Sequence, residues 1–139
     1  MRRAIIIWMM LVLSWSAQAA NSAEGESSGS VAGAPIYYKM EPAVIVNYQS
    51  EDRRLHYLQV DIQVLSRNQG AIDAFREHSF PIRNQLIFLF SKQTDETIHS
   101  LEGKEQLRRL VLEAIQNVMT QRYGSPGVEA VYFTKFVTQ

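Results

Sequence analysis

Hydrophobic and polar residues alternate most regularly between Leu55 and Leu65. Four apolar residues of this segment share one face: Leu58, Val60, Ile62 and Val64. Alternation with a period of two predicts an antiparallel strand with one buried face. The β-branched segment 43–48 precedes it across a polar turn at 49–54, so the two strands are predicted to form a hairpin. Leu55 and Tyr57 lie on the polar face, which suggests that a neighbour or a partner covers them.

The middle of the chain carries apolar residues at helical spacing. A short helix is predicted from Gly70 to His78, and a second helix follows that Ser79 caps and in which Pro81 occupies the first turn. The second helix is apolar on much of its circumference, which predicts that it is the most buried helix. Its apolar residues are Ile82, Leu86, Ile87, Leu89 and Phe90. The polar segment 92–99 is predicted to be a turn or a helical corner.

The C-terminal third predicts a long helix and a final strand. Ser100 is expected to cap this helix and Gly124 to end it in the left-handed conformation. One stripe at three-and-four spacing is predicted to face the core: Leu107, Leu110, Val111, Ala114, Ile115 and Val118. The aromatic and β-branched segment 128–138 then predicts a strand. This order predicts an α+β fold, a single small domain built from a β-hairpin, two short helices, a long helix and a C-terminal strand.

The N-terminal segment has a different composition. Two arginines precede an uncharged run, 4–20, whose apolar part gives way to the small-x-small pattern of a signal peptidase site. The run is shorter than the approximately 20 apolar residues of a membrane-spanning helix. Residues 1–19 are therefore predicted to be a signal peptide or a short membrane anchor, with cleavage after Ala19 favoured. The Ser-, Gly- and Ala-rich residues 20–36 predict a flexible linker, and residues 37–139 the folded domain.

Composition and motif spacing limit the kinds of site that the chain can contain. The chain has no cysteine, which excludes disulfides and thiolate nucleophiles. Its basic residues are scattered and balanced by acidic ones, so no nucleic-acid partner is predicted. His56, His78 and His99 lie on three different predicted elements without metal-ligand spacing, so neither a metal nor a cofactor is predicted. Ser79 beside His78 lacks the geometry of a nucleophile and its base, so the chain is predicted not to be an enzyme and to bind no small-molecule substrate.

Two features favour an interaction surface. The long helix carries Glu105, Arg108 and Arg109, which either stabilise the helix as charge pairs or form a face that binds a partner. The C-terminal strand is apolar on both faces, and an exposed edge of such a strand would tend to pair with another chain. Three aromatic residues of this strand are therefore the predicted assembly contacts: Tyr132, Phe133 and Phe136.

Four segments resemble motifs of one protein family. Residues 131–139, VYFTKFVTQ, resemble the closing motif of the flagellar basal body-associated FliL family. Residues 80–87 (FPIRNQLI) resemble its central proline-led helix, and residues 101–108 (LEGKEQLR) the start of its long helix; residues 58–62 (LQVDI) are the fourth match. The resemblance covers roughly Tyr38 to Gln139. The chain departs from the family in its N-terminal segment, which is shorter than the usual transmembrane helix.

The resemblance implies a periplasmic domain of stomatin-like (SPFH) fold, held at the inner membrane in the bacterial flagellum. It implies an accessory protein of the basal body that acts with the motor stator to support or control flagellar rotation in motility and chemotaxis. The implied partners are stator and basal-body proteins and further copies of the chain in a ring. The alternative is a freely periplasmic scaffold of the same fold that serves another envelope complex, because a cleaved leader leaves no anchor.

Overall fold

The alternating segment forms the longest strand in the part of the chain that the computed structural model describes, which is residues 33–50, 52 and 54–139. In chain order the elements are β1 (Ile36–Lys39), β2 (Val44–Gln49), β3 (Leu55–Ser66), α1 (Gln69–Glu77), α2 (Ser79–Ser91), α3 (Asp95–His99), α4 (Leu101–Tyr123) and β4 (Ala130–Thr138). A four-stranded antiparallel sheet and four helices form one small α+β domain, which confirms the predicted class.

Strand β3 lies at the centre of the sheet and pairs along both of its edges. Residues 55–60 of β3 pair with β2, beginning with Val44↔Val60, which confirms the predicted hairpin. Residues 63–66 of β3 pair with β1. Over residues 58–65 β3 also pairs with β4. Because a strand has only two edges, β1 and β2 lie end to end along one edge of β3, and β4 occupies the other.

Strand β1 was not predicted by the sequence pattern. Ile36, the last residue of the predicted linker, is the first residue of this strand and pairs with Ser66. Four residues are too few for a period to show, and this short strand exists because the far end of β3 offers it a backbone partner.

The core lies between one face of the sheet and the helices. The four alternating residues of β3 are fully buried, as the period of two predicts. Helix α2 packs over β2 and helix α4 over β4, so both edges of the sheet are covered on this face. Burying each of these aliphatic side chains contributes about 1.5–3 kcal/mol to folding. The buried residues of the two helices that complete the core are Ile82, Leu86, Phe90, Leu107, Val111, Ile115, Val118 and Met119.

Helix α2 differs from its prediction in two respects. Its N-cap is His78, which makes no side-chain capping bond, and Ser79 is the first helical residue because only one residue separates α1 from α2. The helix is also less buried than predicted. Only its residues at spacing four face the sheet and α4, and they leave Phe80 80% and Phe88 60% exposed, with Ile87 exposed as well.

Helix α4 follows its prediction closely at both ends. The Ser100 hydroxyl accepts a hydrogen bond of 3.0 Å from the Gly103 N–H, and Gly124 ends the helix at φ 84°. The preceding polar segment forms α3, the predicted helical corner. Within the predicted stripe Leu110 is an exception, because it is 40% exposed at the margin of the face that packs on the core.

Residues 1–32, which include the predicted signal peptide or anchor and most of the predicted linker, lie outside the described residues. Among the described residues, no helix combines the length and the apolar composition needed to cross a membrane. The stomatin-like topology that the resemblance implies stays a prediction.

We expect that Gly103→Ala destabilises the fold although alanine is the better helix former. A Cβ at this position would lie 2.3 Å from the carbonyl oxygen of Thr97 and 2.6 Å from Ser100 Oγ. Forcing α3 and α4 apart costs about 1–3 kcal/mol, against a propensity gain of about 1 kcal/mol. Urea unfolding followed by circular dichroism measures the difference, with Gln106→Ala on the exposed face as control. An unfolding free energy at or above that of wild type would contradict the expectation.

Candidate functional site

A β-bulge in β4 decides which way its aromatic side chains face. Successive residues of β3 pair with Phe133 and Lys135, so the register skips Thr134 between them, whose hydroxyl donates to the Asp61 carbonyl oxygen at 3.4 Å. One extra residue shifts the alternation of side chains by one position. Phe133 and Phe136, three residues apart, therefore both face the helices, whereas Tyr132 lies on the outer face of the sheet.

A groove of about 530 Å³ between α4 and β4 brings the three predicted assembly residues together. The residues that line this α4–β4 groove are Leu101, Lys104, Glu105, Arg108, Tyr132, Phe133 and Phe136. A groove that is apolar at its base and charged on one wall suits a protein segment better than a small polar ligand. That these residues form an assembly contact stays a prediction.

The two phenylalanines connect the groove to the core. The ring of Phe133 lies 6.0 Å from the ring centroid of Phe90 in α2 and 5.7 Å from that of Phe136. Both are partly buried and pack against the core cluster. Their contribution to folding is therefore direct, and any contribution to binding comes from the part of each ring that remains exposed.

The helical wall of the groove is formed by the first two turns of α4. Arg108 donates hydrogen bonds of 3.0 and 3.1 Å to one carboxylate oxygen of Glu105. The ammonium of Lys104 lies 5.2 Å from the ring centroid of Phe136. Within the described part of the chain no carboxylate forms an ion pair with Lys104. Leu101, the first residue of the helix, is exposed at the mouth of the groove.

Part of this wall is predicted by the sequence. Of the three charged residues named there, Glu105 and Arg108 lie at the groove and Arg109 does not. Leu101 and Lys104 were not predicted. The available signal was an apolar residue directly after the helix cap, in a position that belongs to no buried stripe.

The outer face of the sheet carries a second group of exposed aromatic residues. Tyr37 and Tyr132 lie with their ring centroids 6.2 Å apart. Ile45 and Tyr57 border a shallow hollow of about 150 Å³. Within the described residues Tyr57 and Leu55 stay exposed, so the cover expected for them is not provided by this domain.

The histidines are distributed over separate elements. Nε2 of His56 in β3 lies 3.3 Å from Oδ1 of Asp52. Nδ1 of His99 in α3 lies 2.9 Å from the carbonyl oxygen of Asp95. The Ser50 hydroxyl donates to Asp95 rather than to a histidine. Among the described residues, no three His, Asp or Glu side chains converge as metal ligands.

Family comparison identifies the domain that carries this groove. Residues 37–139 match the model of the family described as flagellar basal body-associated protein FliL. The chain belongs to the FliL family. A relative, the "Flagellar protein FliL" of Aquifex aeolicus (strain VF5), is 33% identical over 104 residues. This match covers 75% of the chain and 62% of the relative, so the chain spans less than two thirds of that relative's length.

The FliL match confirms the resemblance found in the sequence motifs. It begins at Tyr37 in β1 and continues to the C-terminal residue, so all four helices and the whole described sheet except Ile36 lie inside the matched region. The FliL family is one of flagellar basal-body accessory proteins and not a known enzyme family. All residues that line the α4–β4 groove therefore lie within the part of the chain that matches the FliL family.

We expect that the aromatic residues of β4 divide into one core position and one surface position. Phe133→Ala should lower the unfolding free energy by about 2–3 kcal/mol, because it removes a ring packed against Phe90. Tyr132→Ala should lower it by less than about 1 kcal/mol, because its ring lies on the outer face. Chemical denaturation measures both. Equal losses for the two variants would show that the assignment of faces is wrong.

The ion pair between Lys39 and Asp61 on the outer face of the sheet predicts that the stability of the fold depends on pH. The Lys39 ammonium lies 3.0 Å from the Asp61 carboxylate; its hydrogen bond lowers the pKa of Asp61, and the carboxylate raises the pKa of Lys39. Asp61 therefore stabilises the fold above the pKa of an unfolded aspartate, about 3.9, and this contribution disappears as pH falls through the lower folded pKa. The contribution of Lys39 is present below the unfolded pKa of lysine, about 10.4, and disappears as pH rises through its higher folded pKa.

We expect that wild type is more stable than Asp61→Asn at about pH 7 and that the difference shrinks as pH falls below about 4. Urea unfolding at a series of pH values measures this difference, with Lys39→Met as a second variant that removes the other charge. A difference that does not change with pH would show that the ion pair contributes nothing to stability.

Proposed function

We propose that this FliL-family chain is a non-enzymatic accessory of the flagellar basal body that acts with the motor stator to support or control rotation in motility and chemotaxis. Family membership supports the association with the basal body. The observation that carries the rest is the α4–β4 groove, because it offers an exposed binding surface with an apolar base and a charged wall. Such a surface suits protein association.

Self-association into a ring is part of this proposal. The exposed Phe80 and Phe88 of α2 and the exposed Leu55 and Tyr57 on the outer face of the sheet form two apolar surfaces outside the α4–β4 groove. A closed ring of identical subunits needs two different contact surfaces on each copy, because each subunit contacts two neighbours head to tail. These two surfaces support that arrangement.

The proposed location is the periplasmic side of the inner membrane. Its support is the sequence pattern of residues 1–19, which predicts a signal peptide or a short anchor, followed by the predicted linker at 20–36 and the domain from 37. Retention of the N-terminal segment would hold the domain at the membrane beside the motor.

We expect that Leu101→Glu reduces swimming speed and spreading in soft agar to the level of a strain that lacks the gene. Leu101 lines the groove and is 78% exposed, so a charge there blocks an apolar contact without disturbing the core. The matched control is Gln106→Glu, since Gln106 is exposed on the same helix and lies outside the groove. Immunoblotting confirms equal amounts of both variants.

Two results would contradict the proposed function. Normal swimming speed, reversals and surface motility in the deletion strain would remove the flagellar role. Cross-linking in cells that consistently recovers envelope proteins other than those of the stator would favour the alternative, a scaffold for another envelope complex.

A further inference from the structure

The outer edge of β4 presents unpaired backbone groups. Tyr57 and Gln139 exchange both backbone hydrogen bonds, at 2.7 and 2.9 Å. In an antiparallel ladder such pairs alternate with pairs whose N–H and C=O groups point away from each other. The backbone groups of Thr138 and Phe136 therefore point away from β3, and among the described residues β4 pairs with no other strand.

This edge borders the α4–β4 groove. Phe136 lines the groove, and the five residues from Lys135 to Gln139 follow the bulge without further interruption of the ladder. The opposite edge of the sheet differs, because β1 and β2 are separated there by a corner that contains Pro42, which has no N–H to offer. Of the two edges of the described sheet, the β4 edge combines a continuous row of backbone groups with a neighbouring apolar groove.

The charge of the groove indicates what kind of segment fits. Arg108 is engaged by Glu105, which leaves Lys104 as the cation without a carboxylate partner among the described residues. A binding segment with a carboxylate at the matching position would neutralise this ammonium. Its other side chains on that face have to be apolar to contact Phe133, Phe136 and Leu101.

We propose that an extended segment of a partner protein adds to β4 as a further strand of the sheet. Its backbone pairs with Phe136 and Thr138, and its alternate side chains are apolar and enter the groove, with an acidic side chain beside Lys104. Backbone pairing supplies affinity and the alternate side chains supply specificity, as in other cases of strand addition. This inference rests on the proposed function and specifies how the groove engages its partner.

Thr138→Pro tests strand addition in the full-length chain. Proline removes the outward N–H and is tolerated at edge positions whose N–H makes no ladder bond, so we expect the fold to be retained. We expect at least about a tenfold loss in the amount of chain that cosediments with isolated basal bodies. Thr138→Ala keeps the N–H and should stay within about twofold of wild type, because its backbone pairing is unchanged.

Lys104→Glu tests whether the positive charge of the groove is needed for binding. It also tests strand addition if Thr138→Pro does not fold. It should lose cosedimentation as Thr138→Pro does, whereas Lys104→Arg should retain it. A photo-cross-linking residue at position 138 identifies the occupant. Wild-type cosedimentation of Thr138→Pro or of Lys104→Glu would overturn the inference, as would cross-links only to a second copy of the chain. Absence of the wild-type chain from basal bodies would instead refute the proposed function.

Discussion

Pairing of β3 along both of its edges is the constraint on which the remaining structure depends. One edge of this strand holds β2 and the short β1, and the other holds β4 in the register that contains the bulge. The same strand presents its buried stripe to the helices, so α2 and α4 are positioned on the sheet that β3 organises. The α4–β4 groove therefore inherits its geometry from a strand that does not line it.

The bulge at Thr134 separates stability from binding within β4. Without it, Phe133 and Phe136 would lie on opposite faces of the sheet, and one ring would be lost from the core. With it, both rings pack against the helices and form the base of the groove. The exposed wall is provided instead by Leu101 and Lys104, whose side chains contribute little to the core and are available to a partner.

The exposed apolar residues have a common explanation in a family of basal-body accessory proteins. A monomeric domain of this size would gain little by exposing Phe80, Phe88 and Leu101 at once. Their exposure on one domain that matches the FliL family suits a chain surrounded by protein neighbours. The absence of cysteine from the chain also means that neither the fold nor an assembly contact involves a disulfide of its own.

The sequence by itself determined the elements whose pattern is local: the strand β3, the hairpin with β2, the caps of α4 at Ser100 and Gly124, and the aromatic strand at the C-terminus. Each depends on neighbouring residues through a period of two, a spacing of three and four, or a cap. Tertiary structure alone decided the existence of β1, the exposure of Phe80 and Phe88, the bulge at Thr134 and the inclusion of Leu101 and Lys104 in the groove. These depend on which distant strand or helix lies opposite, and no local periodicity of the chain specifies that partner.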